Sequence, residues 1–129
     1  MATLFPVWSH FDRAELNNLR RAAARLSPRL ELCDEIPRRQ DWFSIARRNI
    51  RRSDCVLLIL TANSVSSPHC RKEISYAARM RKRTMIWTPV EPFSPAPDWA
   101  RDAGWLSQHA IDARHAVAAI LKNLHRSAR

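Results

Sequence analysis

The residues best suited to chemistry in this 129-residue chain sit just past two short apolar runs and at the start of one helix. Ser9, His10 and Phe11 follow the first run, and Thr61, Asn63 and the Ser64 to Pro68 loop follow the second. Glu73 comes shortly after that loop, with His69 four residues before it. A hydroxyl, an imidazole and one carboxylate at neighbouring strand ends make a small polar site in which the carboxylate can stabilise positive charge. Glu73 has no obvious structural duty. With Ser67 as helix cap and Pro68 as first residue, the position that closes a capping box is Cys70. The residues three and four further on, Tyr76 and Ala77, are not basic. A solvated helix carboxylate is the plainer alternative. Metal and thiol chemistry are not suggested: Cys33, Cys55 and Cys70 show no CxxC spacing, and His109, His115 and His125 lack a metal-ligand pattern. Cys70 lies where a helix N-terminus lowers thiol pKa values, but it reads as a packing residue.

Composition narrows the classes further. The chain has 1 Gly, Gly104, where average usage of about 7% predicts roughly nine. Glycine-built phosphate cradles of the GxGxxG and GxxxxGK[ST] kinds are therefore excluded, because their backbone must approach phosphate without a Cβ. A nucleotide would be bound by side chains and helix ends. The formal charge is +10, from 22 Lys+Arg against 12 Asp+Glu. Most of the excess falls in residues 41–83, and nearly all basic residues are Arg. Arginine forks suit phosphate, although an arginine-favouring genome is the plainer explanation. The N-terminus lacks the basic start and apolar core of a signal peptide. The run Cys55 to Leu60 is far short of the roughly 20 residues that cross a bilayer. A soluble, reducing, cytoplasmic setting is expected, with one domain over residues 1–129.

Periodicity supplies the elements that would hold these residues. Leu4 to Ser9 reads as a strand, with Pro6 suggesting an edge or a bulge. Asp12 is placed to cap a helix carrying Leu16, Leu19, Ala23 and Leu26, which Ser27-Pro28 ends. Arg29 to Cys33 reads as a second strand and Asp34 to Gln40 as a loop. Trp42, Ile45, Ala46, Asn49 and Ile50 share one helical face, with Arg47, Arg48, Arg51 and Arg52 mostly opposite. Cys55 to Leu60 is apolar on both faces and belongs in the middle of a covered parallel sheet. Ser67-Pro68 opens a helix carrying Ile74, Ala77, Ala78 and Arg81. Thr84 to Val90 is a fourth strand before a Pro-rich loop, residues 99–106 include a candidate short strand near Gly104, and Ile111 to His125 is a last helix. Alternation of this kind predicts an α/β, flavodoxin-like three-layer fold: a four- to five-stranded parallel sheet with helices on both faces. In a 2-1-3-4-5 sheet the site lies at the carboxyl ends of the first and third strands. The second and third helices then share one face, which should be basic.

The pattern Phe5…Trp8-Ser9-His10…Asp12, then Asp34-Glu35-Ile36-Pro37 before Trp42, then Ser53-Asp54-Cys55-Val56-Leu57-Leu58-Ile59-Leu60, Ser67-Pro68-His69-Cys70-Arg71-Lys72-Glu73 and Pro89-Val90, resembles the Toll/interleukin receptor (TIR) domain, bacterial type. The resemblance covers about residues 4–125. It implies a flavodoxin-like fold and, in the enzymes of the family, cleavage of NAD+ at the nicotinamide–ribose bond with Glu73 as the catalytic carboxylate. It places Ser9, His10, Phe11, Trp8 and His69 around the substrate. The family often has Trp where this chain has His69. The loop carrying Asp34, Ile36, Pro37, Arg38 and Arg39 corresponds to one that governs self-association, and it lacks the glycine usual there. NAD+ is a substrate in this chemistry; no cofactor or metal is implied.

Three functions follow as expectations. The first is a TIR NAD+ glycohydrolase forming nicotinamide plus ADP-ribose or a cyclised product, activated by homo-oligomeric assembly or by a sensor domain or protein, in bacterial immune or stress signalling. The second is a non-enzymatic module that binds other TIR domains. The third, weaker, is direct nucleic-acid binding through the Arg47/Arg48/Arg51/Arg52 and Arg79/Arg81/Lys82/Arg83 clusters.

Overall fold

A computed structural model describes residues 2–27, 29–33, 41–89, 97–100, 103–105 and 112–127. The chain runs β1 (Ala2–Val7), α1 (Arg13–Leu26), β2 (Leu30–Leu32), α2 (Trp42–Arg52), β3 (Cys55–Ile59), α3 (Ala62–Val65), α4 (Pro68–Arg79), β4 (Thr84–Trp87), β5 (Gly104–Trp105) and α5 (Ala113–Ser127). All strand pairings are parallel, and the sheet order is β2-β1-β3-β4-β5. This is the flavodoxin-like arrangement that the periodicity predicts.

Alternation along the strands builds two core layers. Leu4, Cys55, Leu57, Ile59, Met85 and Trp87 face α1 and α5, meeting Leu16, Leu19, Ala116, Val117 and Ile120. Phe5, Val7, Val56, Leu58 and Ile86 face the other way, against Ala46 and Ile50 of α2 and Cys70, Ile74 and Ala77 of α4. Every residue of β3 is buried because it is paired on both edges and covered on both faces. Burying one such Leu or Ile side chain contributes about 1.5–3 kcal/mol.

Several local expectations are corrected. Pro6 does not mark an edge or a bulge, since β1 lies between β2 and β3. Even-numbered residues of β1 turn their backbone groups toward β2: Ala2 N–H donates to Arg29 O (2.7 Å), and Leu4 O accepts from Cys33 N–H (2.8 Å). Pro6 would be the next donor in that row, has no N–H, and so ends the ladder where β2 stops. β1 also starts earlier than expected and closes at Val7, which frees Trp8 and Ser9 for the turn that follows. Leu26, the last residue of α1, is exposed rather than packed, and Ala78 lies on the solvent side of α4. α3, one turn long, was not anticipated in the polar stretch after β3.

The helix ends of α4 follow their local chemistry. Ser67 Oγ accepts from Cys70 N–H (3.3 Å) and Pro68 takes the first position. At the other end Arg81 N–H donates to Ala78 O (3.0 Å) and Lys82 N–H to Ala77 O (2.9 Å). That is the Schellman pattern, with Arg81 just outside the helix in the left-handed region (φ 56). Lys82 Nζ also donates to the carbonyls of Arg51 and Ser53 (both 2.8 Å), closing the C-terminus of α2.

Candidate functional site

The register Val7↔Leu58 sets the carboxyl ends of β1 and β3 side by side. Each ends in a tight polar turn. After β1, Ser9 caps a 3-10 turn of His10–Asp12, its Oγ accepting from Phe11 N–H (3.3 Å), and it is buried. After β3, Thr61 and Ser64 form a capping box for α3: Thr61 Oγ1 accepts from Ser64 N–H (3.2 Å) and Ser64 Oγ from Thr61 N–H (2.9 Å).

Asp12 joins the two turns. Its side chain makes no capping bond to α1, contrary to expectation. Instead one carboxylate oxygen accepts from Thr61 Oγ1 and the other from Asn63 Nδ2 (2.8 Å). Asp12 is 7% exposed and Thr61 6%, so these bonds offset a desolvation cost that an unbonded carboxylate would bear in full. Sequence reading missed this role because the partners lie 49 and 51 residues away, and no local pattern encodes a contact at that range.

Glu73 occupies the second turn of α4 on the stripe Cys70, Glu73, Ile74 and Ala77, which is turned toward the sheet. It is 8% exposed, and α4 packs on both β1 and β3. The solvated-carboxylate alternative is therefore set aside. Helix periodicity placed Glu73 beside Ile74 and Ala77, so its burial was legible once that stripe was known to face the sheet.

The remaining candidates are spread over both sides of the sheet. His10 and Phe11 are exposed, Phe11 at 72%, with ring centroids 4.1 Å apart. His69 stacks on Trp42 at the start of α2 (centroids 4.1 Å, planes 37° apart), and Trp42 in turn meets Phe43 at 5.3 Å. Trp8 belongs to the other side of the sheet. It packs against the α1/α5 layer, with the Arg13 guanidinium 5.2 Å above its ring. Ser9, His10 and Phe11 are thus brought beside Thr61 and Asn63, whereas Trp8 lies on the opposite layer from α4. Asp34, Ile36, Pro37, Arg38 and Arg39, like His109, lie outside the described residues.

The electrostatic surroundings differ from expectation in one respect. α2 and α4 do share one face, and Arg47, Arg48, Arg51, Arg52, Arg71 and Lys72 are exposed on them. The positive charge is not confined to that side, because α1 carries four Arg against Glu15, and α5 carries Arg114 and Lys122 without an acid. Within the second proposed phosphate-binding cluster, Lys82 is engaged as above and Arg83 Nη1 donates to Asn123 O (2.7 Å). Asp112 caps α5 through His115 N–H (2.8 Å), and this bond, reinforced by the His115 ring, holds its carboxyl below the usual range. A separate groove of about 620 Å³, lined by Glu15, Arg21, Arg25, Trp87 and Arg114 among others, contains none of the candidate residues. Among the described residues no group of three or more His, Cys, Asp or Glu is placed to hold a metal, and no helix is long and apolar enough to cross a membrane.

A family model described as TIR domain matches residues 5–124, nearly the whole chain. The search of curated proteins found no match.

Proposed function

The chain belongs to the TIR domain family, and from that premise we propose that it is an NAD+ glycohydrolase that works in an assembled state, with Glu73 as its catalytic carboxylate. The observation that carries the reading is the placement of Glu73: a carboxylate on the buried stripe of α4, the helix that packs on β1 and β3, at 8% exposure. A buried carboxylate near the carboxyl-end turns of a parallel sheet is a candidate for a charge that is used in function. In the proposed reaction the bond between ribose C1′ and the nicotinamide nitrogen breaks. The bonding pair leaves with nicotinamide, which becomes neutral, and positive charge develops on the ribose. The Glu73 carboxylate stabilises that oxocarbenium-like state and holds the ribose hydroxyls. Water then attacks C1′ and releases a proton to solvent to give ADP-ribose, or a nitrogen of the substrate's own adenine attacks instead to give a cyclic product.

Ser9, His10 and Phe11 line the nucleotide side in this reading, and the His69–Trp42 pair supplies the aromatic wall where relatives often carry Trp alone. Trp8 supports the turn from the far layer. Assembly through the loop of Asp34, Ile36, Pro37, Arg38 and Arg39, triggered by a sensor domain or protein in bacterial defence, completes the proposal.

The test is nicotinamide release from NAD+ at high protein concentration with a crowding agent. Glu73→Ala and Glu73→Gln are expected to lose about 100-fold or more, the scale of removing one electrostatic contact to the transition state. If the assembled wild type releases no nicotinamide, or Glu73→Ala releases as much as wild type, the catalytic reading is wrong. A second reading, a TIR interaction module without catalysis, draws support from the exposed His10–Phe11 pair, which suits a partner surface. It predicts TIR–TIR binding that Phe11→Ala weakens and Glu73→Ala leaves intact.

A further inference from the structure

The two turns at the mouth are far apart in sequence, and among the described bonds between them the side chain of Asp12 supplies two. Ser9 Oγ and the capping box of Thr61 and Ser64 each stabilise one turn internally. Among the described bonds, those of Asp12 to Thr61 Oγ1 and Asn63 Nδ2 cross from one to the other. Thr61 is committed twice over: its oxygen accepts from Ser64 N–H while its proton goes to Asp12. Movement of Asp12 therefore disturbs the cap of α3, and α3 leads directly into the Ser67 start of α4, the helix that carries Glu73.

We propose that Asp12 is a positioning residue that clasps the β1 turn to the β3 turn, fixing the width of the mouth between Ser9–Phe11 and the start of α4. Its catalytic consequence rests on the NAD+ reading above; the clasp itself does not. Both carboxylate oxygens of Asp12 are engaged by these bonds, so its part is played through the two turns. It presents acceptors only, and Asn63 answers with a donor, so the pair has a polarity that can be exchanged. Asn63→Asp sets two carboxylates against each other and opens the clasp. Asp12→Asn combined with Asn63→Asp restores one amide facing one carboxylate in the reverse sense, although the bond from Thr61 then relies on the amide oxygen of the new residue.

The experiment compares wild type, Asn63→Asp, Asp12→Ala and the exchanged double variant by two readouts. The first is amide hydrogen exchange across residues 9–13 and 61–67, which needs no activity. Asn63→Asp and Asp12→Ala are expected to speed exchange in both turns together by about tenfold, the scale of losing a charge-assisted hydrogen bond, with β3 unchanged. The double variant returns toward wild type in both turns. The second readout is nicotinamide release resolved into KM and kcat. KM for NAD+ rises several-fold in Asn63→Asp with a smaller change in kcat, because the loops that must surround the nucleotide are no longer held before it binds, and the exchanged variant recovers it. Loosening of one turn alone, or failure of the exchanged variant to recover exchange protection that Asn63→Asp has lost, overturns the clasp. A wild type that releases no nicotinamide removes the NAD+ reading, and hydrogen exchange alone then decides the clasp. Should Asp12→Ala fail to fold, Asn63→Asp and the double variant still decide it.

Discussion

Cys55 shows what the middle of this sheet does to an ionisable side chain. It is fully buried at the start of β3, and burial pushes its thiol up to about 12, with the neighbouring Asp54 carboxylate adding to the effect. The unfolded chain holds the same thiol near its ordinary value of 9.0. Between these two values the folded state keeps a proton that the unfolded state has lost, so this contribution to stability is complete below pH 9 and falls as pH rises toward 12. The slope is about 1.4 kcal/mol per pH unit at most. Urea unfolding of wild type and Cys55→Ala at pH 8, 9.5 and 10.5 should show the gap between them narrowing with pH. A gap that stays constant means that the thiol ionises in the folded protein.

α4 offers a sharper test of how elements end in a chain with one glycine. Its Schellman cap requires a left-handed residue, and Arg81 fills that place (φ 56) where Gly is the usual choice. A Cβ in that region costs about 1–2 kcal/mol. Arg81→Gly should therefore raise the midpoint of thermal unfolding by several degrees, and Arg81→Val should lower it. Equal midpoints for Gly and Val would mean that the turn relaxes out of the left-handed region. The existence and order of the elements were legible in the sequence because each signal was local: the unbroken apolar run of β3, the Ser67-Pro68 start, the spacing of Ile74 and Ala77. The place of Glu73 on the buried stripe of α4 was legible for the same reason. Pro6, Leu26 and Asp12 were misread because their roles depend on what lies across the sheet or along the neighbouring strand. The end of β2, the exposure of Leu26 and the reach of Asp12 to Thr61 and Asn63 are tertiary facts with no counterpart in spacing.

At the scale of the whole molecule the charge of +10 governs how copies meet. Both helical layers are basic, so two copies approaching through any pair of helical faces bring like charges together, and self-association works against that repulsion. Screening weakens it: the Debye length falls from about 14 Å at 0.05 M salt to about 4 Å at 0.5 M. If the proposed assembly is between copies of this chain, sedimentation velocity should show larger species as NaCl rises from about 0.05 to 0.5 M, since shortening the Debye length removes the repulsion while leaving apolar contacts in place. Nicotinamide release per mole of protein should rise over the same range. A partner of opposite charge, whether an acidic sensor protein or a polyphosphate chain, reverses the sign: its attraction is screened by the same salt, and binding weakens steeply as counterions compete. A fall in both assembly and activity with salt would therefore reject homotypic assembly as the activating step, and would assign the basic helices of both layers to capture of an acidic partner.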